Sequence, residues 1–336
     1  MFGFDGMSVP IVGAPMAGGT STPELTAAVS AAGGLGMYGA AYLTGDRLAA
    51  VIAEIRALTD APFGINLFVP EKTEFDAAAF ADYRARLLPL ADRLGVDLPQ
   101  TVEYSDDHFD EKIDALIDAR VDVASFTFGC PSPTIVERLH RAGIAVSGTV
   151  TDVAEARLAR DAGVDSVCAQ GYSAGGHRAT FSIAGEDPRI DTADLTARIR
   201  DAVDLPVIAA GGVRSRDDVR TLLAAGAQAV QVGTLLLRCP EAGTRRAHRD
   251  ALVDPRFVET ITTRAYSGRL ARGLVNTFIS EHSDAAPAIY PQVNTLTGGI
   301  RRAAADDPEV INLWAGAGFR AAQAIPAADV VASLAP

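Results

Sequence analysis

Short apolar stretches recur along most of this 336-residue chain. They lack the polar–apolar alternation of a half-exposed sheet, so we expect strands that are buried on both faces. Amphipathic Ala-rich segments lie between them, with Ser, Thr or Asp at the start and Gly at the end, which is typical of helices. There are eight such apolar runs, beginning near Pro10, Gly34, Phe63, Val123, Ala145, Ser166, Pro206 and Ala229.

Eight strand–helix units in one chain favour a closed (β/α)8 barrel over an open doubly wound sheet. We therefore predict an α/β TIM barrel over residues 1–240, with a helical insertion at about 70–111. Residues 241–336 are predicted to form a mainly helical extension that covers the barrel mouth. Within this extension we expect helices in the segments 241–254, 260–274, 289–305 and 312–325.

Composition excludes several classes of protein. The net charge of −12 argues against a nucleic-acid groove or an anionic membrane surface as partner. Apolar runs stay well short of the roughly 20 residues that a membrane helix needs, and the first ten residues lack the basic region of a secretory signal. The three cysteines are odd in number and lack metal-binding spacing, so we expect no metal and a reducing cytoplasmic location.

Glycines follow the seventh and eighth predicted strands, where barrels commonly bind phosphate. Glycine lets a ligand approach the backbone N–H groups closely and adopts positive φ at little cost. Tight turns alone could explain each glycine, but the pair at these two positions favours a phosphate site. The residues concerned are Gly211 and Gly212 in the segment 209–213 and Gln231, Val232, Gly233 and Thr234, whose hydroxyl can add a donor.

Two amides, Asn66 and Gln170, end otherwise buried strands. A buried amide without a partner costs about 1–3 kcal/mol, so each needs one. The edge of a heterocycle such as a flavin would supply donors and acceptors, and neighbouring backbone is the alternative.

His177 ends a glycine-rich stretch, GYSAGGH, in a loop at the predicted barrel mouth. An imidazole can accept a proton from carbon near neutral pH, so we predict a catalytic role, with loop anchoring as the alternative. The other four histidines lie in polar segments, and for them we expect solvated surface positions: His108, His140, His248 and His282.

The chain resembles the nitronate monooxygenases over nearly its whole length, in PIVGAPMAGGTSTPEL, PFGINLFVP, SFTFGCPSP, CAQGYSAGGHR, PVIAAGGV, AVQVGT and NLWAGAGFR. The resemblance implies an FMN-containing barrel that oxidises alkyl nitronates, such as propionate 3-nitronate, with molecular oxygen through a flavin semiquinone. It implies that His177 acts on neutral nitroalkanes as a base or orients the substrate. It also implies FMN contacts at Ala14, Pro15, Met16, Asn66, Gln170, Gly175, Gly212 and Gln231 to Thr234.

One residue departs from the family pattern. Ser173 stands where the family usually has an acidic residue, so the resemblance leaves the substrate open. Ser173 itself, the Tyr290 hydroxyl and the Arg301 cation are the candidate substrate contacts. The last two would suit an anionic substrate, and an ordinary surface position is the alternative for both.

Two other functions compete with nitronate oxidation. One is a flavin-dependent enoyl-thioester (enoyl-ACP) reductase that uses NAD(P)H, a relative with the same barrel and a similar AGGH loop. The other is a flavin-binding protein without turnover. The expected partners are a small-molecule substrate and O2, together with a second copy of the chain in a homodimer.

Overall fold

A computed structural model describes residues 2–72 and 74–336. Eight parallel strands close into a barrel, which confirms the predicted (β/α)8 class. Each lies in one of the eight apolar runs: β1 (Ile11–Gly13), β2 (Leu35–Gly39), β3 (Phe63–Phe68), β4 (Val123–Thr127), β5 (Ala145–Val150), β6 (Ser166–Gln170), β8 (Val207–Ala210) and β9 (Ala229–Val232). A separate antiparallel sheet contains β7 (Gly176–His177), β10 (Thr260–Thr263) and β11 (Ala271–Leu274).

Twelve α-helices lie in the described part of the chain. Several begin where the sequence predicts, because the side chains of Thr22, Ser132 and Asp152 each accept a hydrogen bond from the first turn. The helices are α1 (Pro23–Ala31), α2 (Gly45–Leu58), α3 (Ala77–Leu94), α4 (Phe109–Ala119), α5 (Pro133–Arg141), α6 (Val153–Ala162), α7 (Thr192–Ala202), α8 (Arg216–Ala224), α9 (Arg246–Ala251), α10 (Thr277–His282), α11 (Gln292–Ala303) and α12 (Ala327–Leu334).

The amino end of the barrel is filled by apolar side chains. A cluster joins Val123, Ala145 and Ala229, each the first residue of its strand, with Phe2 and Phe4. Cys168 belongs to this cluster, as expected for a buried cysteine. The N-terminal segment thus covers one end, and the carboxyl ends of the strands are left for the site.

The chain between β9 and α12 differs from its predicted helices. Residues 260–274 form the hairpin β10–β11, so the predicted helix there is wrong. The sequence TITT is rich in β-branched residues that suit strands, and Gly268 turns the chain with φ +85° against the Ile289 carbonyl. The predicted helix at 312–325 is also wrong, since its helical content is one 3-10 turn, Phe319–Ala321. The helix predicted in 241–254 is shorter, at α9, and that in 289–305 contains α11.

Helix α12 packs between α1 and α8, in the place of the barrel's last outer helix. Residues 237–326 are therefore inserted into the eighth strand–helix unit rather than appended to it. This insertion packs on α3, in a cluster that includes Phe80 and Tyr83 with Tyr266 and Leu296. The division of the chain at residue 240 stays a prediction. Within the described residues, no helix has both the length and the apolar character to cross a membrane.

Candidate active site

A cavity of about 300 Å³ lies at the carboxyl ends of the barrel strands, at the lower end of the size range of small-molecule sites. The inserted segment supplies part of its wall, including Trp314. Tyr290 lies outside the wall, with its ring 6.3 Å from that of His177. The other candidate residues all line the cavity: Ala14, Pro15, Met16, Asn66, Gln170, Ser173, Gly175, His177, Gly211, Gly212, Gln231, Val232, Gly233, Thr234 and Arg301.

The glycines after β8 and β9 have conformations or neighbours that disfavour a side chain. Gly211 and Gly212 have φ of +120° and +77°, a region that L-residues with a Cβ rarely adopt. A Cβ on Gly233 would lie 3.2 Å from the Ala14 Cβ. The backbone is consequently open to a ligand along this wall.

Thr234 has a partner that the sequence did not indicate. Its Oγ1 accepts a hydrogen bond from the Gly316 N–H at 2.9 Å. Gly175 packs so closely on the same segment that a Cβ there would lie 2.4 Å from the Gly316 nitrogen. The segment around Gly316 therefore closes over the glycine loops, and the Thr234 hydroxyl proton remains free to be donated.

Ser173 also lies beside the glycine loops. Its hydroxyl is 3.3 Å from the Thr192 hydroxyl, and it lies 2.7 Å from where a Cβ on Gly212 would stand. Ser173 therefore lies beside the glycine loop that follows β8, and its hydroxyl bonds to Thr192 rather than to His177.

Hydrogen bonds within the protein already use most of the donors and acceptors of the Asn66 and Gln170 side-chain amides. The Asn66 amide nitrogen donates to Ser125 Oγ at 2.9 Å and Thr127 Oγ1 at 3.1 Å. The Gln170 oxygen accepts from Arg178 Nη1 at 2.8 Å and the Ala179 N–H at 3.0 Å. The Asn66 oxygen accepts a long hydrogen bond from Thr127 Oγ1 at 3.5 Å, and Gln170 Nε2 donates to the His177 carbonyl at 2.9 Å. Asn66 is thus left with one acceptor position on its oxygen, and Gln170 with one N–H, for a ligand.

The inserted hairpin holds His177 in place. Its main chain pairs with Ala271 of β11, and its Nε2 lies 2.8 Å from Ser267 Oγ. Ser267 is in turn tied to the backbone of Arg269, donating to its carbonyl at 3.2 Å and accepting from its N–H at 3.3 Å. Because the Ser267 hydroxyl donates its proton to the Arg269 carbonyl, its oxygen accepts from His177. His177 therefore carries its ring proton on Nε2, and Nδ1 has the lone pair.

The imidazole of His177 lies among aromatic rings. The ring centroids of Phe68, Phe128, Tyr290 and Trp314 are between 5.7 and 6.3 Å from that of His177. Burial, followed by the positive charges of Arg269 and Arg301, lowers the pKa of His177 to about 3. His177 is therefore neutral at physiological pH.

Two other histidines are buried, so their predicted surface positions are wrong. His248 lines the cavity, and burial lowers its pKa to about 4. His282 packs on Phe278, with ring centroids 4.6 Å apart. Both lie on short helices of the insertion whose inner faces the sequence did not reveal. His108 is exposed and His140, bonded to Asp165, is partly exposed.

Arg301 places a cation in the cavity wall. Its Nη2 is held by the Asn294 carbonyl and Oδ1, both at 2.8 Å. Arg245 lines the same cavity, so the site carries positive charge in a protein of net charge −12. Such a wall favours an anionic ligand.

Sequence reasoning missed four residues that surround His177: Phe128, Ser267, Arg269 and Trp314. Trp314 and Phe128 lie in motifs that carry the family resemblance, NLWAGAGFR and SFTFGCPSP, and this was the available signal. Ser267 and Arg269 lie in a segment predicted as helix, where nothing local indicated a contact with residue 177.

Comparisons with known proteins agree over the full length. The family model described as nitronate monooxygenase matches residues 5–336. A probable nitronate monooxygenase of Staphylococcus aureus (strain MSSA476) is 39% identical over 330 residues, 97% of this chain and 93% of the relative. The crystal structure of nitroalkane oxidase from Streptomyces ansochromogenes has a TM-score of 0.95 and 44% identity, covering 98% and 96% of the two chains. FabK from Thermotoga maritima is more distant, with a TM-score of 0.75, 27% identity and coverage of 98% and 92%.

Proposed function

The chain belongs to the nitronate monooxygenase family, a family of oxidoreductases, and on this premise we propose that it oxidises alkyl nitronates, such as propionate 3-nitronate, with molecular oxygen and bound FMN. The observation that carries the proposal is the neutral His177 beside a glycine-lined cavity with a cationic wall. Oxidation of a nitro compound is also what the name of the Streptomyces neighbour states.

The cavity fits a flavin mononucleotide. Gly211, Gly212 and Gly233 would leave their backbone open to the phosphate, and the Thr234 hydroxyl would donate to it. The remaining Asn66 oxygen and Gln170 N–H would meet polar atoms of the ring. Bound FMN would supply the one-electron chemistry between the nitronate and oxygen.

His177 would act differently on the two forms of a nitro substrate. Toward a neutral nitroalkane, its Nδ1 lone pair would accept the proton from the carbon next to the nitro group. The resulting imidazolium would keep its Nε2 hydrogen bond to Ser267. Toward a nitronate, which has already lost that proton, His177 would only orient the substrate.

Arg301 would attract the anionic nitronate and hold it in the cavity. Its guanidinium is itself fixed by Asn294, so its position is set before the ligand arrives. Ser173 would influence FMN rather than the substrate, since it lies beside Gly212.

One set of measurements tests the proposal against its alternatives. The purified protein should show a flavin spectrum, be bleached by propionate 3-nitronate without oxygen, and consume oxygen with that substrate in the absence of NAD(P)H. NADH oxidation with an enoyl thioester, and no oxygen uptake with any nitronate, would instead identify the reductase. Flavin that responds to neither substrate would identify a binding protein without turnover. The cytoplasmic location and the homodimer stay predictions.

A further inference from the structure

Phe128 has a backbone conformation that is unusual for a bulky residue. It follows β4 directly and has φ +75°, in the left-handed region that favours glycine. A phenylalanine there carries a steric cost that glycine would avoid. Strained residues of this kind concentrate at functional sites, where the surrounding structure holds them in place.

The strained backbone places the Phe128 ring between two groups of the site. The ring meets the His177 imidazole edge to face, with centroids 5.7 Å apart and planes at 87°. The Arg269 guanidinium carbon lies 4.0 Å from the ring centroid, which is the geometry of a cation–π contact. Phe68, which does line the cavity, packs on the same ring with centroids 4.5 Å apart.

Phe128 itself is not among the residues that line the cavity, and its side chain is buried. It can therefore affect a substrate only through residues that do line the cavity, of which His177 and Phe68 pack on its ring. We propose that Phe128 is a positioning residue, whose ring excludes water from the far side of His177 and fixes the imidazole orientation. The proposal rests on the function proposed for His177 above.

Several ionisable groups surround the imidazole. Arg269 approaches from the β10–β11 loop and is held by Glu71, with Nη2 and Oε2 2.6 Å apart. Arg301 approaches from α11, and both cations oppose a charge on His177. Tyr290 adds a hydroxyl whose pKa is raised by burial. Because Arg301 and Tyr290 do not pack on the Phe128 ring through a cation–π contact, a change in the titration of His177 after replacing Phe128 would report the ring together with the Arg269 guanidinium that lies on it.

The test is a direct titration of His177 in the FMN-loaded enzyme. Histidine Cε1 resonances are followed by NMR from pH 4 to 8, and His177→Asn assigns the signal. In the wild type His177 should not titrate in this range. In Phe128→Leu, the midpoint of the His177 titration should rise by on the order of 1–2 pH units or more, because water then reaches the imidazole. The rise should be larger in Phe128→Gly, which also removes the backbone strain. The acid limb of kcat/KM should move up with it for a neutral nitroalkane, but not for the nitronate.

Phe126→Leu is the matched control. Phe126 lies two residues earlier, is equally buried, and packs on Phe109 at the outside of the barrel rather than on His177. An unchanged His177 titration in both folded Phe128 variants, or the same shift in Phe126→Leu, would overturn the proposal. If the titration shifts as expected while the wild type oxidises neither substrate, the positioning role stands and the proposed function falls.

Discussion

The side-chain amide of Gln170 donates a hydrogen bond from Nε2 to the main-chain carbonyl of His177 at 2.9 Å. Its oxygen accepts from the two residues that follow, Arg178 and Ala179. The last residue of β6 thus holds the loop that carries the imidazole. Both the nitrogen and the oxygen of the amide are used, so Gln170, a predicted ligand contact, also fixes the loop that carries His177.

Replacing Gln170 should therefore destabilise the protein as well as lower its turnover. In Gln170→Leu, the His177 carbonyl and the Ala179 N–H lose their partners, and we expect unfolding free energy to fall by about 1–3 kcal/mol. Urea denaturation measures this change, with Gln228→Leu at an exposed position as the control. Equal stability of the two variants would contradict the clamping role.

The proposed base predicts a selective loss of activity. His177→Ala should keep FMN bound and lower turnover of neutral nitroalkanes by on the order of 10²-fold, the usual effect of losing a general base. Turnover of preformed nitronate should fall much less, since no proton has to leave carbon. Steady-state oxygen uptake with both substrate forms measures this contrast, and unaltered nitroalkane turnover would rule out the base.

The Ser267 hydroxyl should matter for the same step. Ser267→Ala removes the partner of His177 Nε2 and frees the choice of tautomer, so we expect nitroalkane turnover to fall on the order of 10-fold, equivalent to one hydrogen bond. Ser280→Ala, which removes a hydroxyl bonded to the Asn276 carbonyl, is the control. Equal rates in the two variants would argue against a role for Ser267.

The glycine cradle predicts loss of cofactor. In Gly233→Val the side chain would begin 3.2 Å from the Ala14 Cβ and block the backbone, so we expect protein purified without flavin. Gly6→Val is the control, because a Cβ there meets nothing within 4 Å. The flavin-to-protein absorbance ratio gives the answer, and full occupancy in Gly233→Val would place the phosphate elsewhere.

Buried neutral histidines make stability depend on pH. The pKa values of His177 and His248 are lowered to about 3 and about 4, so between these values and about 6.5 the unfolded chain binds protons that the folded protein does not. The contribution of these histidines to the free energy of unfolding should therefore be fully present above pH 6.5. As the pH falls below 6.5, it should decrease by roughly 1 kcal/mol per histidine per pH unit. Denaturation at pH 7.5 and 5.5 measures this slope. His248→Asn should reduce it, and Gln228→Leu, which removes no titratable group at an exposed position, should not; equal slopes would contradict the burial of His248.

The sequence predicted features that depend on local patterns. Apolar runs identified all eight barrel strands, and Thr22 and Ser132 marked helix starts, because these signals lie within a few residues. The glycine pairs likewise placed Gly211 and Gly233 in one cavity, since parallel strands bring their carboxyl ends together.

What the sequence missed depends on distant contacts. Ser267 meets His177 across 90 positions of the chain, and β11 pairs with a two-residue strand that has no pattern of its own. The histidines of α9 and α10 were misplaced for the same reason. On such short helices, the buried face is decided by the partner surface rather than by periodicity.

The position of α12 also constrains how the molecule is made. This helix packs on α1, from the first strand–helix unit, only after a long inserted segment. A ribosome would therefore release every barrel strand and every loop of the cavity before the helix that seals the outer layer between α1 and α8. Until then the side of α1 that α12 covers lacks its partner. The docking of α12 on α1 is consequently a late event between distant parts of the chain. Such long-range steps are slow and leave a nascent chain prone to aggregation.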